Sequence, residues 1–260
     1  MLFRSNSKEK QHTPNPLLNF LSRLWYEAMD NNLFNIISLL EKNPKAKVLD
    51  VGCGDGKETL KYQSKVVCHY IFGIDGQKGR VVAAKERGID AQVADISQKW
   101  PYEDRSFDVV ISNQVIEHVL DIDHFISETY RILKPGGYSI VSTENLASWH
   151  SIFALILGYQ DFSHHILKLK HVGNPFSLHF GEKTCTWSKY DHSGVDDSAY
   201  PHVKIMTYRS LIQAYEAYGF TFEAGGGSGY YPLFSFLSSF MARVDPYHAH
   251  FICIKVRKTK

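Results

Sequence analysis

The stretch Val48-Leu49-Asp50-Val51-Gly52-Cys53-Gly54-Asp55-Gly56 constrains the fold of this chain more than any other. A short apolar run that breaks into alternating glycines reads as a buried strand ending in a tight loop, with a helix opening near Lys57. Glycine accepts positive φ and carries no Cβ, so backbone N–H groups in such a loop are able to approach a ligand at a helix N-terminus. The strand-and-helix pattern then repeats. Strands are expected at Tyr70 to Ile74, Ala91 to Val93, Phe107 to Ser112 and Tyr138 to Ser142. Between them fall a helix through Val81, Val82 and Ala84, and another from Asp123 to Leu133 that Lys134-Pro135-Gly136-Gly137 stops. This alternation predicts an α/β, Rossmann-like, seven-stranded and mostly parallel sheet with helices on both faces.

Outside that core the pattern changes. Residues 1–16 read as a loose arm, and Leu17 to Glu41 as two helices broken at Asp30-Asn31-Asn32, so 1–46 form an N-terminal extension to a domain over 47–260. Residues 146–206 hold seven histidines (150, 164, 165, 171, 179, 192 and 202) without a clear period. A structureless loop of that length is improbable in a compact domain, so an inserted lid with short helices is expected after strand five. A helix from Tyr208 to Tyr218, closed by Gly219, restores regularity. Strands starting at Phe220 and at His250 follow without a helical crossover, which predicts antiparallel neighbours at the sheet edge.

Composition excludes several classes. A chain of 260 residues buries one substantial core, and a net charge of +2 with scattered basic residues gives no footprint for nucleic acid. Cys53, Cys68, Cys185 and Cys253 lie far apart, which argues against a zinc knuckle or a disulfide framework. The polar Met1 to Gln11 lacks the apolar core of a signal peptide, and no apolar run approaches the roughly 18 residues needed to span a bilayer. A soluble, cytoplasmic protein is the expectation.

The chemistry sits at the strand ends. Asp50 precedes the glycine loop and is suited to orient it or to meet a cationic ligand group. Asp75 ends the second strand in Gly73-Ile74-Asp75-Gly76, where a carboxylate is able to accept two ribose hydroxyls. Asp95 ends the third and Asn113 the fourth. Ligands of open α/β sheets bind outside the carboxyl ends of the strands, and buried strand-end carboxylates without partners would only cost stability. The glycines read G-x-G-x-G rather than the G-x-G-x-x-G of nicotinamide enzymes, and Gly56-Lys57-Glu58 is no P-loop.

Together, the glycine loop, Phe72-Gly73-Ile74-Asp75, Ala94-Asp95, Phe107-Asp108-Val109-Val110-Ile111-Ser112-Asn113 and Arg131-Ile132-Leu133-Lys134-Pro135-Gly136-Gly137 resemble the class I S-adenosylmethionine-dependent methyltransferases. The likeness is to the ubiquinone- and menaquinone-biosynthesis type, methyltransferase type 11, and covers residues 47–143. It implies S-adenosyl-L-methionine as methyl donor, with Gly52, Cys53, Gly54 and Gly56 facing its methionine portion. It further implies Asp75 with Gly76 on the ribose, Asp95 and Ile96 beside the adenine, and Asn113 with Gln114 near the sulfonium. Val115-Ile116-Glu117-His118-Val119 matches a segment that lines the pocket floor, which adds His118 to the cofactor set.

The expected function is transfer of a methyl group, O-transfer favoured, to a small-molecule or lipid-linked acceptor. A non-catalytic S-adenosylmethionine-binding module acting through partners and an NAD-dependent oxidoreductase are the alternatives. Imidazole titrates near neutral pH, so His150, His118 and His202 are the candidate bases for an acceptor that must lose a proton. Cys53 has no base near it in sequence to make it a nucleophile. No metal site is expected, because His164-His165, His171, Asp191, His192, Asp196 and Asp197 show no recognised ligand spacing. The apolar stretches 149–159 and 230–241 read as core, as an acceptor channel, or as a surface in peripheral contact with membrane.

Overall fold

The computed structural model describes residues 16–167, 172–176 and 201–260. The expectations for the N-terminal arm and for His171, His179, Cys185, Asp191, His192, Asp196 and Asp197 lie outside these residues.

The chain opens with helix α1 (Pro16–Leu39) and then alternates β1 (Lys47–Val51), α2 (Lys57–Val66), β2 (Tyr70–Asp75), α3 (Lys78–Glu86) and β3 (Asp90–Val93). It continues through β4 (Phe107–Asn113), a 3-10 turn at Ile116–His118, α4 (Ile122–Ile132), β5 (Leu133–Glu144) and α5 (Trp149–Ile156). The last elements are α6 (Tyr208–Ala217), β6 (Phe220–Ser228), α7 (Ser235–Val244) and β7 (Phe251–Lys258). The strands form one sheet in the order β3-β2-β1-β4-β5-β7-β6. β1 to β5 run parallel, while β7 lies antiparallel between β5 and β6.

Successive residues of the central strands feed opposite cores, as period-2 geometry requires. Leu49, Val110, Ile252 and Ile254 pack on one face with Phe125 and Ile132 of α4 and Leu211 and Tyr215 of α6. Val48, Val109, Ile111 and Cys253 pack on the other with Ile36 of α1, Tyr62 and Val66 of α2, and Val81 and Ala84 of α3. Burial on both faces is why these strands read as continuous apolar runs. Sheet order reverses between β1 and β4, and that switch point opens a crevice at the strands' carboxyl ends.

Three expectations need correction. α1 is one helix, without a break at Asp30-Asn31-Asn32. Asn32 points inward, fully buried, where its side chain donates to Asn113 Oδ1 (3.2 Å) and accepts from Ser142 Oγ (2.9 Å), so a residue that favours turns is held in helix by tertiary partners. Lys134-Pro135-Gly136-Gly137 ends the helix but does not delay the strand. Leu133 already pairs with Phe107, and Gly136 at φ 81° lies in the register shift before Tyr138 pairs with Val109. A helix, α7, does separate β6 from β7. Those strands are antiparallel neighbours, with β6 at the edge.

Candidate functional site

The loop after β1 is tied to its neighbours through its own backbone. Gly52 N and Cys53 N both donate to Ile74 O, and Gly56 N donates to Cys53 O. The N–H groups at these three positions are therefore spent on protein acceptors. Gly54 N–H is likewise spent, on Asp75 Oδ2 (3.0 Å), but its Cα, at φ +55°, faces space with no atom within 4 Å of where a Cβ would stand. Asp75 Oδ1 accepts from Gln77 N (2.8 Å), so both carboxylate oxygens are fixed and each keeps a lone-pair direction for a further donor. Gln77 is 1% exposed, yet neither its amide oxygen nor its amide nitrogen has a partner among the described residues. Buried polar groups without partners are rare in folded chains. An open glycine face, a pinned carboxylate and an orphaned amide at the end of β2 fit a ligand with a vicinal diol and further polar edges, which the adenosine of S-adenosylmethionine has.

Buried carboxyl groups crowd this end of the sheet. Burial pushes Asp50 up to about 8, against the hydrogen bond from Thr59 Oγ1 (2.6 Å) and with help from Glu58 and Asp75. Burial also raises Asp75, opposed by the Gln77 N–H, Arg80 and the Gly54 N–H. Burial, Asp50 and Asp75 drive the Cys53 thiol well above its ordinary range, which keeps it protonated and removes it as a nucleophile. A carboxyl that holds its proton only until a cation arrives suits the ammonium and sulfonium of the same donor.

The other cofactor residues named from sequence fall along the same strand ends. Gly76 is half-buried beside Asp75. Asp95 is exposed, and its Oδ1 accepts from the backbone and hydroxyl of Ser97 (2.9 and 2.7 Å). Ile96 packs partly buried on the core, with its carbonyl accepting from Trp100 Nε1. Asn113 donates to Glu58 Oε2 (3.0 Å) and accepts from Asn32. Gln114 adopts φ +55°, and its N–H donates to Ser142 O.

The three candidate bases do not form one group. His118 and His202 lie together, ring centroids 4.8 Å apart, whereas His150 stands in α5 against His250 (4.8 Å) and Tyr231 (5.0 Å). Glu144, the last residue of β5, lies between the two sets. Its Oε2 is 3.1 Å from His202 Nδ1 and its Oε1 is 3.8 Å from His250 Nε2. Burial alone would lower His202, but Glu144 and then Glu117 outweigh it and carry the ring up to about 9. His150 goes the other way: burial and His250 hold it well below the usual imidazole range despite Glu144. At neutral pH, then, His202 is a cation and His150 a neutral proton acceptor.

His150, His250, Glu144 and Tyr231 border a cavity of about 340 Å³ whose other walls are mostly apolar, from Leu21 and Trp25 of α1 to Phe153 of α5 and Leu157 at its end. That volume lies in the usual range for small-molecule sites, with few polar groups in an apolar lining. The hydrogen bonds from Ser142 to Asn32 to Asn113 connect β5, two residues before Glu144, with the carboxyl end of β4.

A family model described as a methyltransferase domain matches residues 49–141. The ubiquinone biosynthesis O-methyltransferase of Pelagibacter ubique (strain HTCC1062) is 33% identical over 119 residues, 42% of this chain and 47% of that protein. The crystal structure of an S-adenosylmethionine-dependent methyltransferase from Mesorhizobium loti superposes with a TM-score of 0.57 at 17% identity, covering 90% of this chain and 99% of that one. The chain is similar to a methyltransferase domain over residues 49–141 and shares the fold of an S-adenosylmethionine-dependent methyltransferase. It spans about half the length of the ubiquinone-biosynthesis relatives it matches. Phosphoethanolamine N-methyltransferase 1 of Zea mays is 35% identical over 112 residues, 41% of this chain and 22% of that protein. The [4+2]-cyclase SpnF shares the fold with a TM-score of 0.55 at 18% identity, over 97% of this chain and 85% of that one, so the fold alone does not name the reaction.

Sequence reasoning missed Glu144, His250, Trp25 and Asn32 as site residues, and reached Tyr231 only as part of the apolar stretch 230–241. Glu144 had a signal: it ends the fifth parallel strand, as Asp75 and Asn113 end the second and fourth. His250 had none, since its neighbours come from α5, β5 and the β6–α7 connection.

Proposed function

We propose that this methyltransferase transfers a methyl group from S-adenosylmethionine to a hydroxyl of an apolar, small-molecule or lipid-linked acceptor seated in the cavity beside α5. The observation that carries the reading is one apolar cavity with neutral His150 in its wall and Glu144, at a strand end of the cofactor sheet, in the same lining. The O-methyltransferase relatives support oxygen as the target over nitrogen or carbon.

In this reading the Gly52–Gly56 loop, Asp75 and Gln77 hold the donor, with Asp95, Ile96, Asn113 and Gln114 along the same edge. When bound, the donor supplies a methyl carbon already activated by its sulfonium. The protein's work is to orient the acceptor oxygen, exclude water and take up a proton. Leu21, Trp25, Phe153 and Phe162 exclude water from the cavity, and His150 accepts the hydroxyl proton, its imidazolium then facing Glu144. Helix α5, which follows the fifth strand, walls the cavity.

The test is kinetic. With a phenolic apolar acceptor, His150→Ala is expected to lower kcat by about 10²–10⁴-fold while S-adenosylhomocysteine binds as before in calorimetry. An equal loss of both would assign His150 a structural role.

A further inference from the structure

The cofactor cleft and the acceptor cavity leave one cluster unused. Glu117, His118 and His202 each bring a ligand atom within 4.8 Å of one another. Glu117 and His118 are neighbours on the 3-10 turn after β4, and His202 arrives from far along the chain. The backbone holds this meeting in place: Glu117 O accepts from both Val203 N (2.8 Å) and Lys204 N (3.1 Å).

Each member is oriented by a second partner. Glu117 is fully buried, with Oε2 accepting from Thr143 Oγ1 (2.9 Å) and Oε1 without a partner among the described residues. His118 Nδ1 lies 3.3 Å from Pro201 O. His202 Nδ1 lies 2.9 Å from Ser163 O and 3.1 Å from Glu144 Oε2. A carbonyl oxygen only accepts, so Nδ1 is an N–H in both rings and Nε2 is the nitrogen left for a metal, which in the cationic His202 must displace a proton there. Metal-binding imidazoles are held in this way, the far nitrogen donating to a carbonyl or carboxylate that fixes tautomer and ring angle.

We propose that Glu117, His118 and His202 form a binding site for one divalent cation of the zinc class, with Glu144 as the outer carboxylate behind His202. Two imidazoles and one carboxylate suit zinc, and three protein ligands leave a coordination position open. The buried Glu117 oxygen supplies negative charge that a bound cation compensates. Glu144 also lines the acceptor cavity, so the site touches the proposed reaction chamber through a shared side chain.

The experiment uses the full chain, stripped with a chelator and titrated with Zn²⁺ against a chromophoric competitor, then with Co²⁺ to read ligand-field absorption. The expected result is one equivalent per chain and a visible Co²⁺ band. Glu117→Gln and His118→Ala should abolish both while circular dichroism stays that of the parent. Glu144→Gln should weaken Zn²⁺ by about 10–100-fold, as loss of an outer partner does. His124→Ala, half-exposed in the first turn of α4, should leave uptake unchanged. No stoichiometric uptake by the parent overturns the proposal and leaves His202 as an imidazolium between two glutamates. Uptake undiminished in both Glu117→Gln and His118→Ala overturns it equally, since the ion then sits elsewhere.

Discussion

Gly54 and Gly56 lie two residues apart, and adding a methyl group at each should fail differently. Both have positive φ, so an Ala at either costs roughly 1–2 kcal/mol of backbone strain. At Gly56 the new Cβ also meets Ile89 and the backbone of Ala84 in α3, so Gly56→Ala should lower Tm clearly. At Gly54 it enters open space where the donor is proposed to lie. Gly54→Ala should therefore weaken S-adenosylhomocysteine binding more than it lowers Tm, with calorimetry and thermal unfolding as the two readouts. Asp50 gives a pH signature. The folded chain keeps its proton up to about 8, while in the unfolded chain it ionises near 3.8, so between those values the folded state binds more protons. Stability then falls as pH rises through that window. Asp50→Asn still accepts from Thr59 and should flatten the decline, read as urea midpoints of the two proteins at about pH 5 and about pH 8. Asp50, Asp75 and the glycines were legible because a strand end followed by glycine or a carboxylate is a local pattern. Gln77 was not, since its amide is notable only once the fold buries it.

Helix α1 is the element that sequence periodicity divided and the fold kept whole. Asp30-Asn31-Asn32 has the composition of a break, and local propensity lost to the partners Asn32 finds on β4 and β5. Asn32→Ala would leave Asn113 and the Ser142 hydroxyl each short of a partner, one part-buried and one buried. A loss of about 1–3 kcal/mol is expected in urea unfolding. α6 was read correctly to within a residue, because its apolar positions and its start agree. Thr207 and Ser210 form a reciprocal capping box there, and Thr207→Ala should cost about 1 kcal/mol. α7 escaped notice for the opposite reason. Phe234, Phe236, Phe240 and Val244 are exposed, and only Ala242 is buried, so no apolar-inward stripe marks it as a helix.

Across the whole molecule, the strand ends proposed to hold the donor follow a local sequence pattern, whereas the cavity proposed for the acceptor showed in the sequence only as the apolar stretches 149–159 and 230–241. The proposed donor site is built from strand ends that follow one another along the chain. The cavity proposed for the acceptor gathers α1, the end of β5, α5, Tyr231 and His250, which share no spacing. The same contrast hid Glu117, His118 and His202: two adjacent residues and one far away match no ligand pattern, though the fold makes them neighbours. Because the proposed donor and acceptor sites use different residues, they should respond separately to change. Ala154 is buried in α5 and lines the cavity, so Ala154→Phe should raise KM for a bulky apolar acceptor several-fold and leave S-adenosylhomocysteine affinity intact.

The position of β7 bears on how the chain is made. A ribosome delivers β5 and β6 well before Phe251–Lys258, yet β7 is the strand that joins them. Until it emerges, two strands wait with unsatisfied backbone edges, which is the kind of surface that recruits other chains. A stop codon after Pro246 should therefore yield aggregated protein rather than a shortened enzyme, and a chaperone that shields strand edges should matter most in the last moments of synthesis.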